Sequence, residues 1–460
     1  MYSTLKNLLF CNGLNVLMLK NLTAISQKLT PNLRQILGNT AWLFTEKIVQ
    51  MGLGLLVGVW VARYLGPEQF GRFNYATALV GLFGPFAKLG LDSIVIRNLA
   101  RDSSYKNETL GTAFVLKLIG SIVMLFVAVG VITISTPDAT ANNIEARWLV
   151  GIVAAGAIFQ SFEIIDYWFQ SQVQAKYSVW ARNVAYVVIS VVKVVLIQTK
   201  APLVAFAIAM ATEYALSAIG FVITYQLQGN LIKAWQVNLR YAKLLLKDSW
   251  PLILSGIVIM IYMRIDQIML GQMVGDKSVG IYSAAVKISE LWYFVPAAIV
   301  NSVFPSIVQA KQISETVYYE RMQKLFNVVT VLAYAVAIPV TFLSDRIVTL
   351  IYGEYYLEAG AILNVHIWCG LFVSLGVARE IWLTTEGLMK FSAATTAVGA
   401  AVNVVLNYFL IDKYGGLGAA FATVVAQILS AYAVGAFYPR TRKIFIHQTK
   451  AITLIGLFNR

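Results

Sequence analysis

The chain has 460 residues, of which 58% are hydrophobic and only 13% are charged, and its mean hydropathy is +0.70. Soluble globular proteins are about half apolar and about a quarter charged, so this composition excludes that class and indicates a membrane protein whose surplus apolar surface faces lipid. The net charge of +14 is scattered over many short segments, which argues against a nucleic-acid-binding patch.

Apolar stretches of about 20 residues recur along the whole chain, and each is long enough for one transmembrane helix. The stretches are continuous and do not alternate as the strands of a membrane barrel do. The sequence therefore predicts an all-α polytopic protein with about 12 spans, at 40–62, 74–96, 111–134, 148–170, 179–198, 202–225, 249–271, 282–308, 325–343, 360–383, 391–411 and 416–438.

A basic connection between the sixth and seventh stretches divides the predicted spans into two groups of six. It carries Lys233, Arg240, Lys243 and Lys247. We expect a cytoplasmic or interfacial N-terminal segment, two six-helix lobes joined by a cytoplasmic linker, and a cytoplasmic tail, with boundaries at 1–38, 39–225, 226–248, 249–438 and 439–460.

The two groups share a repeated turn. The segment from Tyr64 to Ala76, YLGPEQFGRFNYA, returns 209 positions later as MVGDKSVGIYSAA, from Met273 to Ala285. Because each group has an even number of spans, both enter the membrane in the same direction. The repeat therefore predicts two pseudo-symmetric lobes, related by an axis along the membrane normal, around a central cavity.

Lys and Arg residues between the spans predict the orientation of the chain. With the N-terminus inside, the inner segments hold about three times as many basic residues as the outer loops. Both termini are therefore predicted to be cytoplasmic.

The spans contain charged residues that lipid does not tolerate, since one charge at the bilayer centre costs about 2.5–3.5 kcal/mol on insertion scales. The first two spans of each group hold about half of these residues. The bases among them suit a phosphate or diphosphate, because Coulomb attraction is weakly screened in a low-dielectric surround. The candidates for an anion-binding cavity are Lys47, Lys88, Arg264 and Lys287, and those for charge balance or coupling are Glu46, Asp266 and Glu290.

Other interpretations remain open for most of these charges. Glu46 and Lys47 lie close to a cytoplasmic helix end and could reach the interface, and Lys287 and Glu290, three residues apart, could neutralise each other. Arg264 and Asp266 point to different faces, so each needs a partner from another helix.

No catalytic, cofactor or metal site is predicted. The chain has two cysteines and two histidines, too few for a metal cluster, and no P-loop or catalytic triad pattern is present. We expect a transporter rather than an enzyme.

Two segments resemble the bacterial polysaccharide flippases, the Wzx-type or O-antigen flippase family. They are NTAWLFTEK at 39–47 followed by ARYLGPEQFG at 62–71, and RIDQIMLG at 264–271 followed by VGIYSAA at 279–285. The similarity covers nearly all of residues 39–438.

The resemblance implies the fold of the multidrug/oligosaccharidyl-lipid/polysaccharide exporter superfamily, with two lobes around a cationic cavity. It implies translocation of undecaprenyl-diphosphate-linked oligosaccharide units from the inner to the outer leaflet of the cytoplasmic membrane, by alternating access, for O-antigen, capsule or exopolysaccharide. Membrane lipids, and in parallel a polysaccharide polymerase and glycosyltransferases, are the expected partners.

Two other functions compete with this one. A cation-coupled multidrug exporter of the same superfamily would need an acidic, aromatic pocket, whereas the bases in spans one, two, seven and eight favour an anion. A membrane-bound glycan-modifying transferase would need an interfacial acid or histidine, and none stands out in the short loops.

Overall fold

The computed structural model describes residues 31–138 and 140–455, with side chains from residue 38 onward. Most of the predicted N-terminal segment 1–38 therefore lies outside the described residues. Every regular element in the described part is helical. In the first half of the chain the helices are α1 Pro31–Leu82, α2 Gly84–Lys88, α3 Leu91–Arg101, α4 Lys106–Ser135, α5 Ala141–Ala157, α6 Ile164–Ser171, α7 Lys176–Gln198 and α8 Leu203–Leu227.

The second half begins after a connection at residues 228–238. Its helices are α9 Leu239–Met273, α10 Asp276–Glu290, α11 Phe294–Ile313, α12 Glu315–Tyr352, α13 Ala359–His366, α14 Cys369–Thr385, α15 Met389–Ala431 and α16 Arg442–Ile452. Short 3₁₀ turns join several of them, as at Ile158–Glu163 between α5 and α6.

Ten helical segments of the described chain are long and apolar enough to cross a bilayer. Large apolar side chains such as Phe126, Phe342 and Phe409 are exposed on them, as expected of a surface that faces lipid. The protein is therefore an all-α, multi-pass membrane protein.

The two longest of the ten segments are long enough for two crossings each. The segment Gly38–Leu82 has 45 residues and Met389–Ala436 has 48, which at 1.5 Å per residue is about twice the 30 Å hydrocarbon core. Each is interrupted by a glycine with non-helical angles, Gly66 in the first and Gly415 in the second. Glycine is suited to both positions because their positive φ strains other residues.

The predicted continuous span at 74–96 is broken in the structure. One helix ends at Leu82, a one-turn helix follows, and the next helix starts after Gly90, whose φ is +60°. A side chain at Gly90 would overlap Leu252 of α9. The break therefore lets α9 pack closely against the first half.

The repeated turns pack directly against each other. A side chain at Gly71 would overlap the carbonyl oxygen of Asp276, and one at the equivalent Gly280 would overlap that of Pro67, the equivalent of Asp276. Two copies of one surface make this reciprocal contact when a twofold axis relates them. We call the end of the molecule that holds these turns the motif end, and the opposite end, which holds residues 228–238, the linker end.

Candidate functional site

Four of the predicted charged residues come together well inside two of the membrane-spanning segments, Leu239–Met273 and Asp276–Ile313. Lys287 interacts electrostatically with Arg264 and Glu290, and Glu290 also interacts with Asp266. At 1.5 Å per residue, Arg264 lies about 14 Å from the end of α9 and Lys287 about 16 Å from the start of α10. The group is therefore near mid-depth of a hydrocarbon core of about 30 Å.

Lys287 reaches from the second half of the chain towards the first. Its ammonium group lies 4.4 Å from the centre of the Phe70 ring. Its side chain is solvent-accessible and lines a cavity of about 190 Å³ together with Gln50, Gly54 and Tyr352. Within the described residues, neither Lys287 nor Arg264 has a carboxylate within 4.0 Å. Lys287 therefore lines a cavity, and neither it nor the neighbouring Arg264 has a direct counter-ion in the described part of the chain.

Asp266 is held differently from its neighbours. Its side chain is buried, accepts a hydrogen bond from the Tyr282 hydroxyl, and accepts another from the Gln267 backbone N–H at 2.7 Å. Its carboxylate is thus fixed within the second half rather than at the cavity surface.

The other predicted residues lie nearer the linker end. Lys47 is exposed beside Glu46 on α1. Lys88 is exposed at the end of α2 and interacts electrostatically with Glu163. The seven predicted residues thus form two groups rather than one ring.

Glu46 belongs to a network that the sequence did not reveal. Arg182 of α7 pairs with Glu46 at 2.8 Å and with Asp166 at 3.0 Å. Nearby, Lys117 is fully enclosed and contacts Glu163 at 3.1 Å and the Tyr167 hydroxyl at 3.0 Å. These contacts join α1, α4, α6 and α7 into one bundle and place an opposite charge beside each charged group in it.

A second missed pair is Lys193 of α7 with Glu213 of α8, whose Nζ and Oε2 atoms are 3.3 Å apart. Glu213 lines a cavity of about 180 Å³ with Glu163 and Arg182. Gln50 borders this cavity and also that of Lys287. The signal that could have found these residues is helical spacing, since Arg182, Tyr186 and Lys193 repeat on one face of an otherwise apolar helix.

The motif end is closed by polar contacts between the two halves. Arg72 is buried and pairs with Glu145 of the first half and with Asp276 of the second at 3.1 Å. Arg63 donates to the Ile351 carbonyl at 2.7 Å, and the Tyr356 hydroxyl donates to the Ala62 carbonyl at 2.7 Å. These contacts tie the two halves of the chain together at the motif end.

The inner cluster is suited to a multivalent anion. The cluster holds three bases, Arg264, Lys287 and the nearby Lys193, and three acids, Asp266, Glu290 and Glu213. Because Asp266 is buried against Tyr282, the bases outnumber the remaining acids, and their attraction for an anion is weakly screened away from bulk water. No group of His, Cys, Asp and Glu that could hold a metal ion occurs in the part of the chain that the structure describes.

The described helices are long enough to cross a membrane, and charged residues line the cavities between them, so this is a multi-pass membrane protein with a polar interior. Residues 36–311 match the family model described as polysaccharide biosynthesis protein, and residues 251–409 match the MatE model. The first match covers more than half of the chain, so the chain belongs to the polysaccharide biosynthesis protein family.

One relative and two solved structures are similar to this chain over most of its length. The chain is 23% identical over 430 residues to a Shigella flexneri protein named as an O-antigen transporter, covering 89% of this chain and 99% of that protein. Its fold matches an inward-facing multidrug resistance MATE transporter of the MOP superfamily, with a TM-score of 0.71, 16% identity, and coverage of 87% and 96% of the two chains. It also matches the lipid II flippase MurJ, with a TM-score of 0.69, 14% identity, and coverage of 92% and 93%.

Proposed function

We propose that this protein is a flippase that moves undecaprenyl-diphosphate-linked oligosaccharide units from the inner to the outer leaflet of the cytoplasmic membrane, for surface polysaccharide biosynthesis. The family match and the relatives named as O-antigen transporter and flippase support a transporter rather than an enzyme. The observation that carries the substrate class is the pair of mid-depth cations, Arg264 and Lys287, which interact with each other without a direct counter-ion among the described residues and of which Lys287 lines a cavity.

The sugar head of such a lipid cannot cross hydrocarbon unaided, because its hydroxyl groups would lose their water partners. A polar cleft that opens to one side at a time removes this cost. The diphosphate binds at Arg264 and Lys287, Glu290 balances the remaining charge, and the prenyl chain stays in the bilayer. Lys47 and Lys88 attract the anion at the entrance, and Glu46 and Asp266 balance charge around it.

The architecture that we propose has twelve crossings in two six-helix lobes. The breaks at Gly66 and Gly415 divide two of the ten long segments into two crossings each. The reciprocal contact of the repeated turns supports a pseudo-twofold relation between the lobes. With both termini cytoplasmic, the closed motif end faces the exterior and the cavity is loaded from inside. A polysaccharide polymerase and glycosyltransferases act beside the protein.

The multidrug exporters of the superfamily share the fold. A pocket for organic cations would expose acids at its centre, whereas Lys287 is accessible here and Asp266 is buried against Tyr282. The charge of the cluster therefore favours an anionic substrate.

The experiment is complementation of a strain that lacks its own flippase. Arg264→Gln and Lys287→Gln, expressed at wild-type levels, are expected to lower surface polysaccharide at least about tenfold, since each removes an attraction of more than about 1.4 kcal/mol, and lipid-linked glycan should accumulate on the cytoplasmic leaflet. Lys413→Gln, which removes an exposed lysine, is the control and should complement fully. Full complementation by both cavity variants would contradict the proposal.

A further inference from the structure

One face of α7 carries polar side chains in a helix whose other faces are apolar. Arg182, Tyr186 and Lys193 follow each other at intervals of four and seven residues, which places them on the same side. Val187, Val188 and Val191 are exposed on the other sides and suit lipid. The polar face turns towards α1, because Arg182 pairs with Glu46 and the Tyr186 hydroxyl donates to the Gln50 carbonyl at 3.2 Å.

Lys193 differs from the other paired lysine of the first half. Lys117 is almost fully buried and holds both Glu163 and Tyr167, so its ammonium group is fixed. In the Lys193–Glu213 pair, by contrast, both side chains keep about a fifth of their surface accessible, 22% and 20%. Their single contact of 3.3 Å leaves two donors of the Lys193 ammonium group for another partner.

Lys193 also belongs electrostatically to the mid-depth cluster. It interacts with Lys287, which projects from the second half of the chain, and Lys287 interacts in turn with Arg264. The Glu213 cavity and the Lys287 cavity meet at Gln50. Glu213, the partner of Lys193, lines the first of these cavities, and the flexible four-carbon side chain of Lys193 allows its ammonium group to turn from Glu213 towards the cluster.

We propose that Lys193 is a third binding residue for the anionic headgroup, and that it exchanges Glu213 for the phosphate when the substrate enters. This inference rests on the proposed function, because it assigns the phosphate to the Arg264–Lys287 cluster. Three cations on two halves repel one another across the cleft, and a diphosphate placed between them reverses that repulsion. The anion is then held by Lys193 from the first half and by Arg264 and Lys287 from the second, so binding draws the two halves together.

If Lys193 exchanges Glu213 for the phosphate, substitutions of the two residues should have effects that a purely structural ion pair would not produce. Loss of Lys193 removes a ligand of the anion, whereas loss of Glu213 removes the competitor for that ligand. The two substitutions should therefore change anion affinity in opposite directions, although both break the same pair and both should lower thermal stability.

The test uses the purified full chain and titration with inorganic diphosphate at constant ionic strength. Lys193→Gln should weaken binding about tenfold and Glu213→Gln should tighten it about threefold, the scale of one charge contact in a partly screened site. The Lys193→Gln/Glu213→Gln double variant should bind like Lys193→Gln. For the control pair, Lys117→Gln and Glu163→Gln should not shift affinity in opposite directions.

The outcomes separate this inference from the proposed function. If Arg264→Gln and Lys287→Gln weaken binding but Lys193→Gln and Glu213→Gln have equal effects or none, Lys193 is a structural residue and the exchange is wrong. If Arg264→Gln and Lys287→Gln leave diphosphate binding unchanged, or the wild-type protein does not bind diphosphate, the anion site itself is wrong, and the exchange with it.

Discussion

The ion pairs of this protein differ greatly in how much they stabilise the fold, and the difference depends on how deeply they are buried. Arg72 is buried between Glu145 and Asp276, and it joins the two halves of the chain. Arg97 and Asp248 also join the halves, at 3.5 Å, but their side chains are 64% and 57% exposed. Exposed pairs contribute little because water screens them. Arg72 should therefore hold the motif end closed, whereas the Arg97–Asp248 pair should contribute little to stability.

This contrast gives a prediction for thermal unfolding in detergent. Arg72→Ala leaves two acids facing each other without their shared cation and should cost about 1.5–3 kcal/mol. Arg97→Ala should cost less than about 1 kcal/mol. Equal losses for the two variants would mean that Arg72 does not stabilise the closed motif end.

Helix α16 shows how a residue outside the membrane can sense pH. The ring of His447 stacks on Tyr319 with centroids 5.4 Å apart, and its Nδ1 lies 2.6 Å from the Gln323 side-chain oxygen. Burial, together with Lys450 and Lys443, lowers the pKa of His447. The folded protein therefore disfavours the protonated ring, which the unfolded chain accepts below about pH 6.5.

Because the unfolded state binds the extra proton, stability should fall as the pH drops below about 6.5, towards the lowered pKa of the folded state. Hydrogen exchange of residues 442–452, corrected for the intrinsic rate, should therefore speed up at pH 5.5 relative to pH 7.5. His447→Gln should remove most of this difference. A wild-type α16 that is equally protected at both pH values would contradict the role given to His447.

Between helices, the glycines of the two repeated turns set how closely the turns approach each other. Gly71 and Gly280 allow the turns to touch through their backbones, whereas nothing lies within 4 Å of a side chain built at Gly81 on the same helix. The sequence revealed the repeat and its glycines by their spacing. It did not reveal that the two copies pack on each other, because the contact joins residues 209 positions apart.

Alanine at these glycines tests that packing. Gly71→Ala and Gly280→Ala should force the motif end apart, lower thermal stability and impair transport, because the added methyl group meets backbone atoms that cannot rotate away. Gly81→Ala adds the same methyl group in open space and should be neutral or slightly stabilising, since alanine favours a helix by up to about 1 kcal/mol. If Gly71→Ala behaves like Gly81→Ala, the reciprocal contact does not constrain the protein.

For the whole molecule, composition and apolar runs were enough to predict an all-helical membrane protein, because the bilayer requires about 20 apolar residues per crossing. The intramembrane charges also led us to expect that Arg264 and Lys287 line a shared cavity, because a charge that faces lipid is costly, and their role in binding stays a prediction. The same argument did not separate Lys47 and Lys88 from these two residues, because depth along a helix does not give the direction of a side chain. It also missed Arg182 and did not reveal that Lys193 pairs with Glu213, because the partners lie on other helices.

The central proposal is that Lys287 faces an aqueous cleft that opens only to the cytoplasm when the motif end is closed. The most direct measurement replaces both native cysteines with serine and labels a Lys287→Cys variant with a charged, membrane-impermeant thiol reagent, in vesicles of each orientation. Val188→Cys, on a surface assigned to lipid, is the control. We expect Lys287→Cys to be labelled faster from the cytoplasmic side than from the exterior, because the closed motif end is the state that the structure describes, and Val188→Cys from neither side. A Lys287→Cys variant that resists the reagent from both sides, as the control does, would contradict the shared cavity.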